Sequence, residues 1–192
     1  MHSETIYKFV GDQLSRWPLA CENFRALKNV KVREMEAGGL TVKLQFNPAR
    51  IVSSAAKLNK EDIAGRKCFL CRDNRPKEQI MLKFDGRKNK KYHILVNPYP
   101  IFPDHLVIAD ARHTDQSIRQ RYVDMLDLAR KYTDFTFFYN GPRSGASAPD
   151  HHHFQAAPRG LIPLECDVDR LVDQIDKSDA LEYVTSLQDA DL

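Results

Sequence analysis

The sequence predicts an α+β fold built on an antiparallel sheet, and three observations carry that prediction. Residues 40–46, Leu-Thr-Val-Lys-Leu-Gln-Phe, alternate apolar and polar side chains without a break, which is the period of a strand. Further β-prone runs at 92–97, 105–109 and 135–139 are separated by turn residues and one helical pattern, an order that suits antiparallel pairing rather than βαβ crossovers. The remaining helical periodicity sits at the two ends of the chain.

Taken in order, Ile6, Phe9, Val10, Leu14 and Trp17, then Ala20, Phe24 and Leu27, fit one or two amphipathic helices, with Pro18 as the break or restart. Residues 30–35 and 40–46 flank Gly38-Gly39 and read as a β-hairpin. Asn47-Pro-Ala-Arg50 leaves that hairpin for a Ser/Ala/Lys-rich connection at 53–57. The basic run Arg87-Lys-Asn-Lys-Lys91 reads as a solvated hairpin tip. The strands at 92–97 and 105–109 flank a turn carrying Pro98, Pro100 and Pro103, and His93 and His105 read as ordinary strand residues. Asp115 is expected to N-cap a helix whose buried stripe is Ile118, Tyr122, Met125, Leu126 and Ala129. After Pro163, Val168, Leu171, Val172 and Ile175, then Leu181, Val184 and Leu187, predict one or two acidic helices. The expected organisation is one domain over 1–192, with a core at about 30–160, a helical extension at 1–29 and an acidic helical segment at 164–192.

Composition narrows the functional classes. Hydrophobic content of 42% and charged content of 29% are ordinary for a soluble globular chain, and no apolar run approaches a membrane span. The first residues lack a basic then apolar leader, so a cytoplasmic location is expected. Net charge is +3, yet residues 165–192 hold nine acidic and two basic side chains, leaving about +10 on the first 164. A basic body suits a small anionic ligand. No recognition helix or RNA-binding aromatic motif is present, so a nucleic-acid partner is not expected. Four cysteines without an export signal do not suggest a disulfide framework.

Residues 140–157, Asn-Gly-Pro-Arg-Ser-Gly-Ala-Ser-Ala-Pro-Asp-His-His-His-Phe-Gln-Ala-Ala, concentrate the chemistry. The stretch from Asn140 to Pro149 is too rich in Gly, Pro and Ser for regular structure. From His151 a short strand is expected, with His151, His153 and Gln155 on one face and His152, Phe154 and Ala156 on the other. Two imidazoles and a carboxamide beside a loop of small residues form a plausible phosphate site. The pattern His151-x-His153-x-Gln155, preceded by Asn140 and Gly145-Ala-Ser147, resembles the transferase branch of the histidine-triad (HIT) superfamily. That branch includes the galactose-1-phosphate uridylyltransferases, the diadenosine tetraphosphate phosphorylases and the GDP-hexose phosphorylases, and His153-Phe-Gln-Ala156 is most similar to the last. The resemblance covers roughly residues 45–160. It implies a twisted antiparallel sheet with a helix packed across it, and it admits a homodimer.

Cys68-Phe-Leu-Cys71 by itself admits a redox pair, a zinc half-site or two buried thiols, although Arg72-Asp-Asn74 does not demand the helix N-terminus that redox use would want. The stretch from Asp104 to His113 is similar to the Gly-His-Leu-Leu-Val-x-Pro-x-x-His segment of HIT proteins. The resemblance therefore implies a structural zinc on Cys68, Cys71, His113 and His151, which would pre-orient the neighbouring His153. His153 matches the nucleophile, and a neutral imidazole can take a nucleotide from an α-phosphorus. Gln155 stands where the hydrolase branch has a third histidine, and an amide cannot relay protons, so transfer rather than hydrolysis is implied. Asn97 matches a ribose contact. Ser147 and the amides around Gly145 would cradle phosphates, with Asn140 ordering the loop. Arg50 and Lys57 are candidates to neutralise phosphate charge, with Arg143 in the same loop as the histidines.

Asp150, inserted between Pro149 and His151, departs from the uridylyltransferase pattern. The expected function is a nucleotidyltransferase or phosphorylase that cleaves a nucleoside diphosphate sugar or a dinucleoside polyphosphate and transfers to phosphate or a sugar phosphate. The alternatives are a zinc-stapled nucleotide-binding domain without turnover and a HIT-type hydrolase.

Overall fold

The computed structural model describes residues 2–51 and 60–172. Lys57, the connection at 53–57 and the apolar positions Ile175, Leu181, Val184 and Leu187 lie outside them. The chain divides into two compact units, Met1–Lys31 with Gln45–Arg159, and Val32–Leu44 with Gly160–Leu192.

The first unit is built on a five-stranded sheet in the order β3-β4-β5-β7-β6. Its strands are β3 (Leu82–Asp85), β4 (Lys91–Val96), β5 (Leu106–Asp110), β6 (Phe135–Phe138) and β7 (His153–Pro158), and every pairing is antiparallel. The runs at 92–97, 105–109 and 135–139 form strands as expected. β3 is not legible in the sequence, although Leu82-Lys-Phe-Asp85 alternates, because four residues give too short a period to stand out. Residues Ile94, Ile108 and Phe154 stand opposite one another across β4, β5 and β7, and all three are almost fully buried. They belong to an apolar cluster with Ile6, Phe9 and Val10 of α1 (His2–Arg16) and Leu128 of α4 (Tyr122–Lys131). Each such aliphatic or aromatic side chain contributes roughly 1.5–3 kcal/mol of burial free energy.

This cluster moves the expected boundary of the core. The N-terminal helices α1 and α2 (Pro18–Ala26) form where predicted, with Pro18 in the first turn of α2. They are part of the core rather than an extension outside it. Gln13 fixes them: its Nε2 donates to Glu78 O at 2.8 Å, and its Oε1 accepts from Ile80 N–H at 2.8 Å.

The helix predicted from Asp115 needs correction. It starts at Tyr122 with Arg121 at the cap position, so Asp115 is not its N-cap. Its buried positions are Asp124 and Leu128, whereas Tyr122 and Leu126, expected in the stripe, are exposed. A buried aspartate carried no apolar signal, which shifted the inferred face. Asp124 is paired: Tyr92 Oη donates to it at 2.7 Å, Arg87 N–H at 2.7 Å, and Lys90 lies at 3.3 Å. A buried carboxylate persists only with such partners. Arg87 also bridges to Asp127 at 2.7 Å, so the predicted β3–β4 hairpin tip is latched to α4 rather than simply solvated.

In the second unit the predicted hairpin is present as β1 (Lys31–Ala37) and β2 (Leu40–Phe46), turning through Gly38 and Gly39 at φ 62° and 78°. Two successive positive φ values need glycine or a short polar residue. Thr41 N–H donates to Asp167 Oδ2 at 2.8 Å, joining β2 to α5 (Pro163–Val172). Glu165 receives Gly160 N–H at 2.9 Å at the start of that helix. The short helix α3 is Lys60–Gly65. Among the described residues no helix is long and apolar enough to cross a membrane.

Candidate active site and metal centre

The sheet face opposite the main core carries a second register row. His93 on β4 faces Ala109 on β5, which faces His153 on β7; one step along, Leu95 faces Val107, which faces Gln155. Leu95 and Ala109 pack with Leu70 and Ala148 in a small cluster that includes Cys68. This cluster seats the cysteine loop against the sheet beside the histidines.

There the four expected ligands converge. Cys68 Sγ lies 3.3 Å from His151 Nδ1, Cys71 Sγ lies 3.3 Å from His113 Nδ1, and Cys71 Sγ lies 3.6 Å from His151 Nδ1. The four ligand atoms are all within 4.8 Å of one another. The edges of a tetrahedron are about 1.6 times its bond length, so zinc with thiolate and imidazole ligands needs separations of roughly 3.3–3.8 Å. The three short separations match that requirement. The donor set matches it too at His151, whose nitrogen facing the sulfurs is the one left free. His151 Nε2 lies 2.9 Å from the carbonyl of Asp110, which can only accept, so the proton sits on Nε2 and the Nδ1 lone pair faces the thiols. Burial pushes the Cys68 thiol up to about 11, so a cation that binds there displaces a proton. Asp150 is also accounted for: its carboxylate receives Arg66 at 3.3 Å and lies 3.9 Å from His113 Nε2.

Regular strand begins at His153, not His151: His152 O still accepts from Asp110 N–H at 2.9 Å, but His152 N–H turns to Thr114 O at 2.7 Å. The predicted alternation of faces nonetheless holds around the strand. His152 points into the core against Tyr92, Tyr139 and Phe154, with ring centroids 6.2, 6.2 and 4.8 Å away. His153 and Gln155 line a cavity of about 400 Å³ on the other face. His153 Nδ1 lies 2.8 Å from the carbonyl of His151. By the same reasoning Nδ1 carries the proton and Nε2 keeps its lone pair. Burial holds the His153 pKa below the ordinary histidine value, although the bond to His151 pulls the other way, so the ring is neutral at pH 7.

The cavity also gathers Arg50, Asn97, Asn140 and Ser147 from the expected set. Arg50 Nε is buried with no hydrogen-bond partner among the described residues, and burial depresses the pKa of its guanidinium. A half-buried guanidinium whose Nε has no partner among the described residues suits an incoming anion. Asn97 is largely committed within its turn: Oδ1 accepts from Tyr99 N–H at 3.0 Å. Ser147 O receives Arg66 at 2.7 Å. Gly145 does not line the cavity; it is exposed at φ 79°, where glycine lets the loop turn back. Arg143 is exposed as well and is not among the cavity's lining residues.

Four contributing residues were not legible as such in the sequence. Trp17 and Leu19 bring the N-terminal helices to the cavity wall. Gln116 clamps the central strand, with Oε1 accepting His153 N–H at 2.8 Å and Nε2 donating to Asn140 O at 2.7 Å and His153 O at 3.1 Å. His105, read as an ordinary strand residue, is fully buried with Nε2 2.9 Å from Gln155 Oε1. No local motif marks Gln116, whose partners lie 24 and 37 positions away, and His105, although inside the Asp104–His113 stretch, meets Gln155 from 50 positions away.

Comparison with known proteins adds a family and a set of remote relatives. The yeast protein APA1 of Saccharomyces cerevisiae (strain ATCC 204508 / S288c) is 29% identical over 93 residues, 42% of this chain and 29% of APA1. Among solved structures, yeast Ap4A phosphorylase Apa2 in complex with AMP aligns with 19% identity and a TM-score of 0.45 over 79% of this chain and 51% of Apa2. The same enzyme in complex with Ap4A aligns with 18% identity and a TM-score of 0.44 over 77% of this chain and 53% of Apa2. The chain thus spans about half the length of these solved relatives and less of the curated one. The profile of the family described as "Domain of unknown function (DUF4922)" matches residues 9–158, which is most of the chain, and the chain belongs to that family.

Proposed function

We propose that the cavity is the active site of a nucleotidyltransferase of phosphorylase type, with His153 as the nucleophile. The observation that carries the reading is the tautomer of His153: a backbone carbonyl holds the proton on Nδ1, so a neutral Nε2 lone pair is available on the cavity wall. Nε2 attacks the α-phosphorus of a nucleotide, a P–N bond forms, and the bond from phosphorus to the bridging oxygen breaks. The remainder leaves with that oxygen. An oxygen of inorganic phosphate or of a sugar phosphate then attacks the same phosphorus, the P–N bond breaks, and the imidazole regains its lone pair. Arg50 and the carboxamide of Gln155 offset the negative charge that gathers on the phosphoryl oxygens.

Gln155 has no titratable proton near neutral pH, which favours a phosphate-type acceptor over activated water. Nucleoside diphosphate sugars and dinucleoside polyphosphates both present the required anhydride. The second class is also the one named with the solved yeast structure, Apa2 in complex with Ap4A. A structural zinc on Cys68, Cys71, His113 and His151 would lock the backbone at His151, whose carbonyl sets the His153 tautomer.

The test is transfer to inorganic phosphate from a panel of nucleotide sugars and Ap4A, with His153→Gly beside the wild type. Wild-type activity that is lost in the variant and partly restored by added imidazole supports the reading. Equal rates in the two proteins would reject His153 as nucleophile.

A further inference from the structure

We propose that His105 is a positioning residue that fixes the side-chain amide of Gln155 with its NH2 group toward the cavity. The inference rests on the nucleotidyl-transfer reading of the site and adds a residue to it. The hydrogen bonds from Ile101 to Gln155 form a chain in which each donor is forced. Ile101 N–H can only donate, and it lies 3.1 Å from His105 Nδ1. Asn97 Oδ1 already accepts from Tyr99 N–H at 3.0 Å, which leaves the amide nitrogen of Asn97 facing the same Nδ1 at 3.4 Å. Nδ1 is therefore the acceptor, and the single proton of the neutral ring is on Nε2. Nε2 lies 2.9 Å from Gln155, whose facing atom must be the oxygen. The other end of the carboxamide, its NH2, is then directed away from His105. It has no hydrogen-bond partner among the described residues, and Gln155 lines the cavity beside His153.

The ring plane is held as well. Phe138 stacks against His105 at 6.2 Å and 29°, and Phe102 meets it edge-on at 5.8 Å. The turn from Asn97 to His105 thereby acts on the reaction centre through one imidazole. The physical need is specific. An unrestrained carboxamide can turn its oxygen toward a phosphoryl oxygen, where two acceptors repel, whereas the fixed amide offers only donors. A histidine at 105 thus supplies, for a glutamine at 155, the orientation that makes an amide useful beside a phosphorus under attack.

Two measurements on the full chain test this. Long-range proton–nitrogen NMR spectra of the wild type, without any ligand, should show His105 as the neutral Nε2–H tautomer from neutral pH down to about 5.5. A predominant Nδ1–H tautomer would overturn the proposal. For the role, His105→Phe keeps an aromatic ring but removes the donor, and His105→Gln keeps a donor near the position of Nε2. With the best substrate of the nucleotide panel and inorganic phosphate, His105→Phe should lower kcat by roughly 10- to 100-fold with little change in KM. His105→Gln should recover most of that loss. Unchanged kcat in His105→Phe, or no recovery in a well-folded His105→Gln, would also overturn it. An inactive wild type would instead sink the transfer reading, and the spectra would still decide the tautomer.

Discussion

Three consecutive histidines take three different environments, and their backbone and neighbours decide which chemistry each can do. His151 keeps a free Nδ1 facing two thiols, His153 keeps a free Nε2 on the cavity wall, and His152 has neither nitrogen bonded. Burial pushes the His152 pKa down to about 3 and that of His105 down to about 4. Both folded values lie below the ordinary one near 6.5. The unfolded chain therefore binds more protons in acid, and the stability from keeping these rings neutral is present above about pH 6.5 and lost as pH falls toward 4 and 3. Urea unfolding at pH 7.5 and pH 5 is expected to show a lower midpoint in acid, with the difference reduced in His152→Phe; an identical pH dependence in the variant would contradict this. Gln116 is the second residue-scale test. Gln116→Glu keeps the acceptor for His153 N–H but sets a carboxylate against the carbonyls of Asn140 and His153. It should cost about 1–3 kcal/mol of stability in urea and lower transfer activity. A variant as stable and active as the wild type would show that the clamp is dispensable.

At the scale of elements, the β3–β4 hairpin and α4 are locked by a close approach. A Cβ built on Gly86 would sit 2.6 Å from the Tyr92 ring and 3.1 Å from Asp124. Tyr92 and Asp124 are hydrogen-bonded and buried, so neither can withdraw cheaply. Gly86→Ala is expected to destabilise the chain by roughly 1–3 kcal/mol in a thermal or urea melt, and an unchanged midpoint would show that the hairpin and helix separate easily. Period-2 alternation in 40–46 and aromatic content at 135–138 were enough to read those strands from the sequence. The start of α4 was not legible, because the residue that turns its inner face toward the core is an aspartate whose partners are Tyr92, Lys90 and the backbone of Arg87. Likewise the four metal-ligand candidates and His153 were legible from spacing and resemblance. Gln116 and Trp17 were not, because they reach the site through long-range packing that no local pattern encodes, and His105, although inside the Asp104–His113 stretch, gave no sign of its bond to Gln155 50 positions away.

For the whole molecule, the sheet separates two jobs. One face joins α1 and α4 in the apolar core, and the other carries the Cys/His cluster and the cavity. A cation at the cluster would stabilise both the cysteine loop and the strand entering His153, so chelation should lower the melting temperature and reduce transfer together. Metal analysis at one zinc per chain, with both losses reversed by added zinc, is the expected outcome; full stability and activity in metal-free protein would contradict it. Covalent transfer through His153 is checked by mass analysis of the chain after brief exposure to a nucleotide sugar or Ap4A without phosphate. The expected result is a nucleotidyl adduct on the peptide containing His153 that disappears when inorganic phosphate is added. Turnover without any adduct on that peptide, or an adduct on another residue that discharges just as fast, would contradict it.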